Sequence, residues 1–290
     1  MGTFWQFVVT GLLVGAIYAL IALSVVLIFK ATAVFNFAVG EMMMLGGMFF
    51  WSFYIMLKIN IFGSLVLASL CAVTLGMAIQ RIVLRPLIGQ PILTSVMVTL
   101  ALVSVFKGLD GLIWKNMPCG FPDLLPRGGW KLGDVHISMD LFWAFLISIF
   151  LIALLSLLYQ RSRIGLEMRA TAESHQLATA KGLNINRIFT VTWILAGLIS
   201  MVCAILLGVR IGVGPEMANY GLKAFPVVIL GGLDSIRGAV VAGLIIGVLE
   251  QMVGGYINPC WMEVSPYAIL LIFMFFRPHG LFGMERIERI

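Results

Sequence analysis

Long apolar runs alternate with short polar breaks along this chain, and the lengths of the runs carry the first inference. Apolar stretches lie near residues 4–29, 33–57, 61–80, 91–113, 139–159, 188–210, 238–256 and 265–277. An α-helix needs roughly 20 apolar residues to cross a bilayer, so these runs predict about eight spans. The run at 222–233 is too short for a comfortable crossing and predicts a discontinuous or re-entrant element. Between the fifth and sixth runs lies RATAESHQLATAKGLNIN, residues 169–185, a polar and small-residue stretch with helix signals of its own.

Composition removes the soluble alternatives. Of 290 residues, 61% are hydrophobic and 11% charged, against roughly 45–50% and about 25% in an ordinary soluble domain. A soluble fold of this length has too little interior to hide that much apolar surface, so the surrounding solvent is lipid. The expected fold class is an all-α integral membrane protein. It is a polytopic helical bundle of about eight spans plus a short discontinuous segment, in a single transmembrane domain over residues 1–290. No Lys or Arg precedes Lys30, and the apolar start is too long for a signal core, so the first run is expected to be a retained span.

Charge orients the bundle. The connections at 81–90 and 160–187 fall on one side and hold Arg81, Arg85, Arg161, Arg163, Arg169, Lys181 and Arg187, which makes that side cytoplasmic. The outer loop, about 114–138, mixes Lys115, Arg127 and Lys131 with Asp123 and Asp134, and Asp140 follows it. If 222–233 crosses fully, Asp234, Arg237 and the tail with Arg277, Arg286 and Arg289 are cytoplasmic. A dip and return would put those tail arginines outside, against the charge bias. The expected topology is therefore N-terminus outside and C-terminus inside. Inner-face anchoring accounts for the net charge of +6 without nucleic acid. Cys71 and Cys203 lie in spans, while Cys119 and Cys260 lie in outer connections. These two are read as unpaired thiols, with a disulfide in an oxidising periplasm as the alternative.

The stretch inside 160–187 predicts a short helix across the cytoplasmic mouth. Thr171 is its N-cap, Glu173 sits in its first turn, Lys181 in its last, and Gly182 is the left-handed stop. Ala170, Ala172, Ala178 and Ala180 keep its surface low, and Leu177 with Leu183 offers an apolar knob. That combination suits docking into a groove on another protein. A loop packing on its own bundle is the alternative.

Glu41 follows Asn-Phe-Ala-Val-Gly inside an apolar run. An ionisable group near mid-membrane costs about 2.5–3.5 kcal/mol on insertion scales, so it should face the bundle or a cavity. It can pin a broken helix end or contact cargo, and both remain open. Residues 38–47 and 223–232 share an apolar approach and a Leu-Gly-Gly exit, in opposite directions under this topology. That is the pattern of an inverted repeat whose broken segments line a path, although small residues that merely let helices pack close read the same way. On the first reading Asn36, Gly40, Glu41, Lys223 and Phe225 are candidate pathway residues. There is no Gly-x-x-x-x-Gly-Lys-Ser/Thr loop to hold ATP phosphates. The histidines, His136, His175 and His279, are scattered, and no metal site or catalytic set is expected.

The spacing of Ala172, Glu173, Ala180 and Gly182 before NRIFTVTWILAGLISMVCAILLG resembles the coupling helix of ABC importer permeases, in the branched-chain amino acid (Liv-type) branch. GLLVGAIYALIALSVVLIFKATAVFNFAVGEMMMLGG near the start, with Asn36, Phe37, Ala38, Gly40 and Glu41, is similar to that family's first two spans. GLKAFPVVILGGLDSIRGAVVAGLIIGVLE and RPHGLFG are similar to its last third. The chain departs from the family at Val39, where His is common, and at Ser174 and His175, where an Asp-Pro-like pair is common. It departs again at Asp234-Ser235-Ile236-Arg237-Gly238, where the family reads Gly-Ser-Ile-Pro-Gly.

The resemblance implies a non-catalytic inner-membrane permease subunit for branched-chain or related amino acids. It implies cytoplasmic ATP-binding cassette subunits that hold ATP and Mg in place of this chain, a second permease subunit, and a periplasmic binding protein. Urea, amides and aromatic acids are the alternative cargoes. An ATP-independent channel or secondary carrier is the alternative of another class, and it would call for an intramembrane chain of ion-coupling groups.

Overall fold

The computed structural model describes residues 2–87, 90–122, 124–126, 128–173, 175–277 and 280–283. Asp123, Arg127, Ser174, His279, Arg286 and Arg289 lie outside the described residues, as does the side chain of His175.

Helices dominate. Helix α1 (Gly2–Thr32) ends before an unwound segment at 33–38, and α2 (Val39–Trp51) then widens into a π-helical turn at Ser52–Met56. Helix α3 (Ile61–Ala78) widens in the same way at Ile79–Leu84 and closes in a 3₁₀ turn at Arg85–Leu87, where Pro86 removes a backbone donor. After α4 (Ile92–Trp114), strands β1 (Gly129–Leu132) and β2 (Val135–Ser138) form an antiparallel hairpin that pairs Trp130 with Ile137. Helices α5 (Met139–Arg161), α6 (Arg163–Glu173), α7 (His175–Ala180) and α8 (Ile185–Ile211) follow. The chain then runs through α9 (Met217–Leu222), α10 (Ala224–Gly231), α11 (Ile236–Tyr256) and α12 (Ser265–Phe276).

Seven helical stretches among the described residues are long and apolar enough to cross a membrane. They correspond to the first seven predicted runs. The second starts at Val39 instead of 33, because residues 33–38 are not helical. The eighth run is helix α12, with 12 residues. At 1.5 Å per residue it rises about 18 Å, well short of a hydrocarbon core of roughly 30 Å.

The chain divides into two compact units. One comprises the described parts of Met1–Val26, Leu125–Ile152 and Lys223–Ile290. Its α1 and α11 meet along a ladder of small residues spaced four apart: Gly11, Gly15 and Ala19 against Gly243 and Gly247. A Cβ on Gly15 would lie 2.7 Å from the Gly243 carbonyl oxygen, and one on Gly243 would lie 2.7 Å from Ala19 Cα. Only backbones without side chains between them approach so closely, which is the usual means of helix association in lipid. In the same unit Gln6 clamps the outer hairpin, donating to the His136 carbonyl at 2.8 Å and accepting from the His136 amide at 2.6 Å.

The other unit comprises the described parts of Leu27–Leu124 and Ala153–Leu222. Helix α8 is its centre, with Trp193 and Ala196 buried beside Met42, Leu45 and Ile79. Small residues again set the approach. A Cβ on Gly46 would lie 2.8 Å from Met201 Cα, and one on Gly197 would lie 2.9 Å from the Ala72 carbonyl oxygen. Asn60 and Asn184 start α3 and α8 by accepting from the amides of Gly63 and Arg187, at 2.7 and 3.2 Å. All four cysteines are free. Cys119 and Val213 exchange backbone hydrogen bonds at 2.7 and 2.9 Å. Burial, with the Asp110 carboxylate adding to it, pushes the Cys119 thiol up, away from thiolate chemistry.

Candidate functional site

The polar stretch between the fifth and sixth spans forms two helices, α6 and α7, in place of the single helix expected over 171–182. The start lies further back than Thr171, at Ser162, whose Oγ accepts from the Gly165 amide at 2.9 Å. Thr171 is not an N-cap. It sits near the end of α6 with its hydroxyl donating to the Glu167 carbonyl at 2.8 Å, the back-bonding available to a threonine inside a helix.

The expected stop is observed. Gly182 has φ +81°, its amide donates to the Thr179 carbonyl at 2.9 Å, and the Leu183 amide donates to the Ala178 carbonyl at 3.0 Å. This is the paired closure in which a left-handed residue satisfies the last carbonyls of a helix. Exposure then sorts the small residues. Leu177 is 66% exposed and Ala178 buried, while Glu173, Ala180 and Gly182 are exposed and Ala172 is half-buried. The outward face of α7 therefore carries Leu177 and Ala180, whereas Ala178 packs inward.

The second place is the unwound segment at 33–38. Non-helical backbone at membrane depth has to find partners inside the protein, and here short polar side chains supply three of them, besides the backbone bonds of Ala33 to Phe29 and of Met42 to Ala38. Thr32 Oγ1 accepts from the Val34 amide at 3.3 Å, Asn36 Oδ1 from the Ala38 amide at 3.1 Å, and Thr99 Oγ1 on α4 donates to the Phe35 carbonyl at 2.9 Å. The segment opens at Ala33 with φ +54°, a left-handed turn that an alanine adopts only under constraint. Asn36 is buried and also places its amide 3.4 Å from Met42 Sδ.

Gly40 is a contact point: a Cβ there would collide with the Ala218 carbonyl of α9, and one on Gly221 would collide with Gly40 Cα. Glu41 is in the first turn of α2, where the helix dipole favours a carboxylate. Its side chain is 6% exposed and lies 3.8 Å from Lys107 Nζ, which is 57% exposed. Residues 38–47 were expected to be a broken element. Residues 39–47 are instead continuous helix, and the break precedes them.

The third place is the short run at 222–233, which is discontinuous as expected: α9 ends at Leu222 and α10 starts at Ala224. Lys223, between them, sends its ammonium to Glu250 Oε1 on α11 at 2.7 Å, and lies 5.9 Å from the centroid of the Tyr18 ring on α1. The Lys223 side chain is 9% exposed and that of Glu250 1%, and Glu250 Oε2 has no hydrogen-bond partner among the described residues. Phe225 is buried in the first turn of α10.

The far end of α10 is closed by the chain's last described segment. Gly232 has φ +102°, and the amides of Leu281 and Phe282 donate to the Leu230 and Gly231 carbonyls at 2.8 and 3.1 Å. Its Leu-Gly-Gly therefore terminates a helix, whereas Gly46 and Gly47 lie inside one. Ser235 then starts α11 by accepting from the Gly238 amide at 3.0 Å. Arg237 is exposed in the first turn, where a proline or any other residue loses no internal helix bond.

Sequence reasoning singled out Glu41 and Lys223 and missed their partners Lys107 and Glu250. It also missed Asp110, buried on α4 with both carboxylate oxygens unpartnered among the described residues. The signal was available: Asp110 and Glu250 are acids inside predicted spans, and ionisable groups there point to function by default.

Residues 7–274 match the family model described as the permease component of branched-chain amino acid transport systems. The high-affinity branched-chain amino acid transport system permease protein BraD of Pseudomonas aeruginosa is 29% identical over 98% of this chain and 97% of its own length. Its counterpart LivH of Escherichia coli K12 is 27% identical over 99% of this chain and 98% of that protein. The probable branched-chain amino acid transport permease protein LivH of Methanocaldococcus jannaschii is 25% identical over 92% of this chain and 88% of its own. Among solved structures, PsaBC from Streptococcus pneumoniae in complex with Fab shares the fold. Its TM-score is 0.51 over 94% of this chain and 93% of that one, at 13% identity.

Proposed function

The chain belongs to the family of branched-chain amino acid transport system permease components, and from that premise we propose that it is the membrane subunit of an ATP-driven importer. It is a multi-pass membrane protein. Its cargo is a branched-chain or closely related amino acid, delivered at the outer face by a soluble binding protein. Two cytoplasmic ATPase subunits hold the ATP and Mg, and a second permease, identical or related, completes the pathway. The chain resides in the inner (cell) membrane with its N-terminus outside and its C-terminus inside. The joining of the ends of α1 and α5 at Lys30 and Tyr159 supports this orientation, since both spans then finish on the side with the basic connections.

The observation that carries the coupling role is α7. Its outward face pairs the 66% exposed Leu177 with Ala180, and its end is fixed by the Gly182 closure. A rigid, low-relief apolar knob on a polar connection suits docking into a groove. ATP-driven closure of the ATPase pair would displace that knob, and the rigid-body movement would tilt the spans behind it.

Ala180→Glu places charge and bulk on the docking face without touching the buried Ala178. Purified from mild detergent, the parent chain should retain an ATPase and a second permease, and the variant should lose the ATPase while keeping its own fold. Undiminished ATPase in the variant would overturn the docking role. The buried Asp110 is what favours the second reading, an ATP-independent carrier. Transport by the chain alone in liposomes without ATP would establish that reading instead.

A further inference from the structure

Lys107 is a charged group exposed on a membrane span. It lies about 10 Å below Trp114, the last residue of α4, at 1.5 Å per residue. The Trp114 indole donates to Ser52 Oγ at 2.7 Å, so α2 and its π-helical turn reach the same end. Glu41, in the first turn of α2, is about 16 Å back from Ser52 along that helix, close to the middle of a hydrocarbon core of roughly 30 Å. The Lys107 ammonium meets it there, 3.8 Å from Oε1. A lysine facing lipid runs its stem toward the nearer headgroups. Lys107 runs the other way, toward the middle of the membrane, and its side chain is still 57% exposed.

Charge at that depth belongs in the protein interior or beside water. The surface around Lys107 is open: Ser104 and Gly108 beside it are exposed, and a Cβ on Gly108 would meet nothing within 4 Å. At 3.8 Å the contact with Glu41 neutralises charge but is too long for a hydrogen bond, so it does not use up the three donors of the ammonium. Glu41 is the enclosed member, 6% exposed, and Lys107 is the one that a solute can reach.

We infer that Lys107 lines a water-filled passage near the midplane and donates to the carboxylate of the passing solute, with Glu41 as the positioning residue behind it. This role rests on the importer reading and narrows its cargo to solutes that carry a carboxylate. A fixed cation lowers the cost of moving an anionic group past mid-depth, as basic side chains do in anion pores, and it offers little to urea or a neutral amide. Conduction also needs release, and the carboxylate of Glu41 tempers the attraction. An acidic side chain of the second permease would also answer Lys107, and the assembled importer decides between the two.

For the test, the assembled importer is treated with sulfosuccinimidyl acetate, a charged reagent that acetylates amines reached by water, and mass spectrometry follows the peptide containing Lys107. Lys107 should be acetylated, and excess leucine should slow the reaction severalfold, whereas leucinamide and urea should not. Protection of Lys107 without leucine would place it against lipid or the second permease and overturn the passage role. Equal slowing by leucine and leucinamide, or none by leucine, would overturn the carboxylate contact. In proteoliposomes with binding protein outside and ATP inside, Lys107→Gln should lower leucine uptake about tenfold to a hundredfold, the loss of one hydrogen bond to a charged group. Lys107→Arg should keep most of the uptake. In both variants the ATPase and the second permease should remain bound, and the unfolding midpoint should stay near that of the parent. Undiminished uptake by Lys107→Gln, or a fall that tracks a lowered midpoint, would overturn the role. A parent that moves no leucine with ATP would sink the importer reading itself, and the acetylation pattern would then judge Lys107 alone.

Discussion

Two breaks in helical geometry, at 33–38 and at Lys223, are built from opposite materials. The first is neutral: Thr32, Asn36 and Thr99 supply hydrogen bonds to the loose backbone, and the charged Glu41 stands just inside the next helix with a partner that reaches solvent. The second is charged: Lys223 stands at the junction itself, and Glu250 is almost fully enclosed with it. A neutral break spreads its support over several modest bonds, each replaceable by water or a neighbour. A charged break puts much of it in one enclosed ion pair, and removing one member of a buried pair is costly.

The largest predicted effect follows from that contrast. Glu250→Ala removes the carboxylate of a buried ion pair and should cost about 3–5 kcal/mol, read as a strongly lowered midpoint of thermal unfolding in detergent. Lys223→Met combined with Glu250→Met should recover most of the loss, since a buried pair replaced by apolar groups of similar volume is often neutral. Failure of the double variant to recover would mean that the pair has a role beyond holding the break.

Asn36→Ala comes next. It removes the acceptor of the Ala38 amide in a buried turn and should cost about 1–3 kcal/mol. A shift as large as that of Glu250→Ala would erase the distinction between the two breaks. The smallest effect belongs to Lys107→Gln. Its side chain is 57% exposed, so solvent screens the pair and the change in stability should stay within about 1 kcal/mol. A larger change would show that Lys107 and Glu41 are enclosed in the assembled transporter, by the second subunit or by cargo.

Much of the bundle was legible because its determinants are local. Run length set the spans, Gly182 marked a helix stop, and the short run at 222–233 announced its own discontinuity. Thr171 misled because a threonine near a polar stretch reads equally as a cap or as an interior residue bonding back one turn. Only the placement of Ser162 decides between them. The expected break at 38–47 was displaced to 33–38 because a Leu-Gly-Gly string does not say whether its glycines end a helix or admit a neighbour. In α2 they admit Met201 and Ala204, and in α10 they end it at Gly232.

The sequence by itself determined that this protein lives in lipid, roughly where it crosses, which family it belongs to and which connection between spans is polar and helical. Each of these follows from the order of residues within one segment, through apolar length, charge bias and capping chemistry. The tertiary structure alone decided which buried charges are neutralised, which of the small residues on α7 face outward, and that Lys107 meets Glu41. Those depend on groups brought together from distant parts of the chain. Lys223 in the sequence does not say that a carboxylate on a distant helix will meet it.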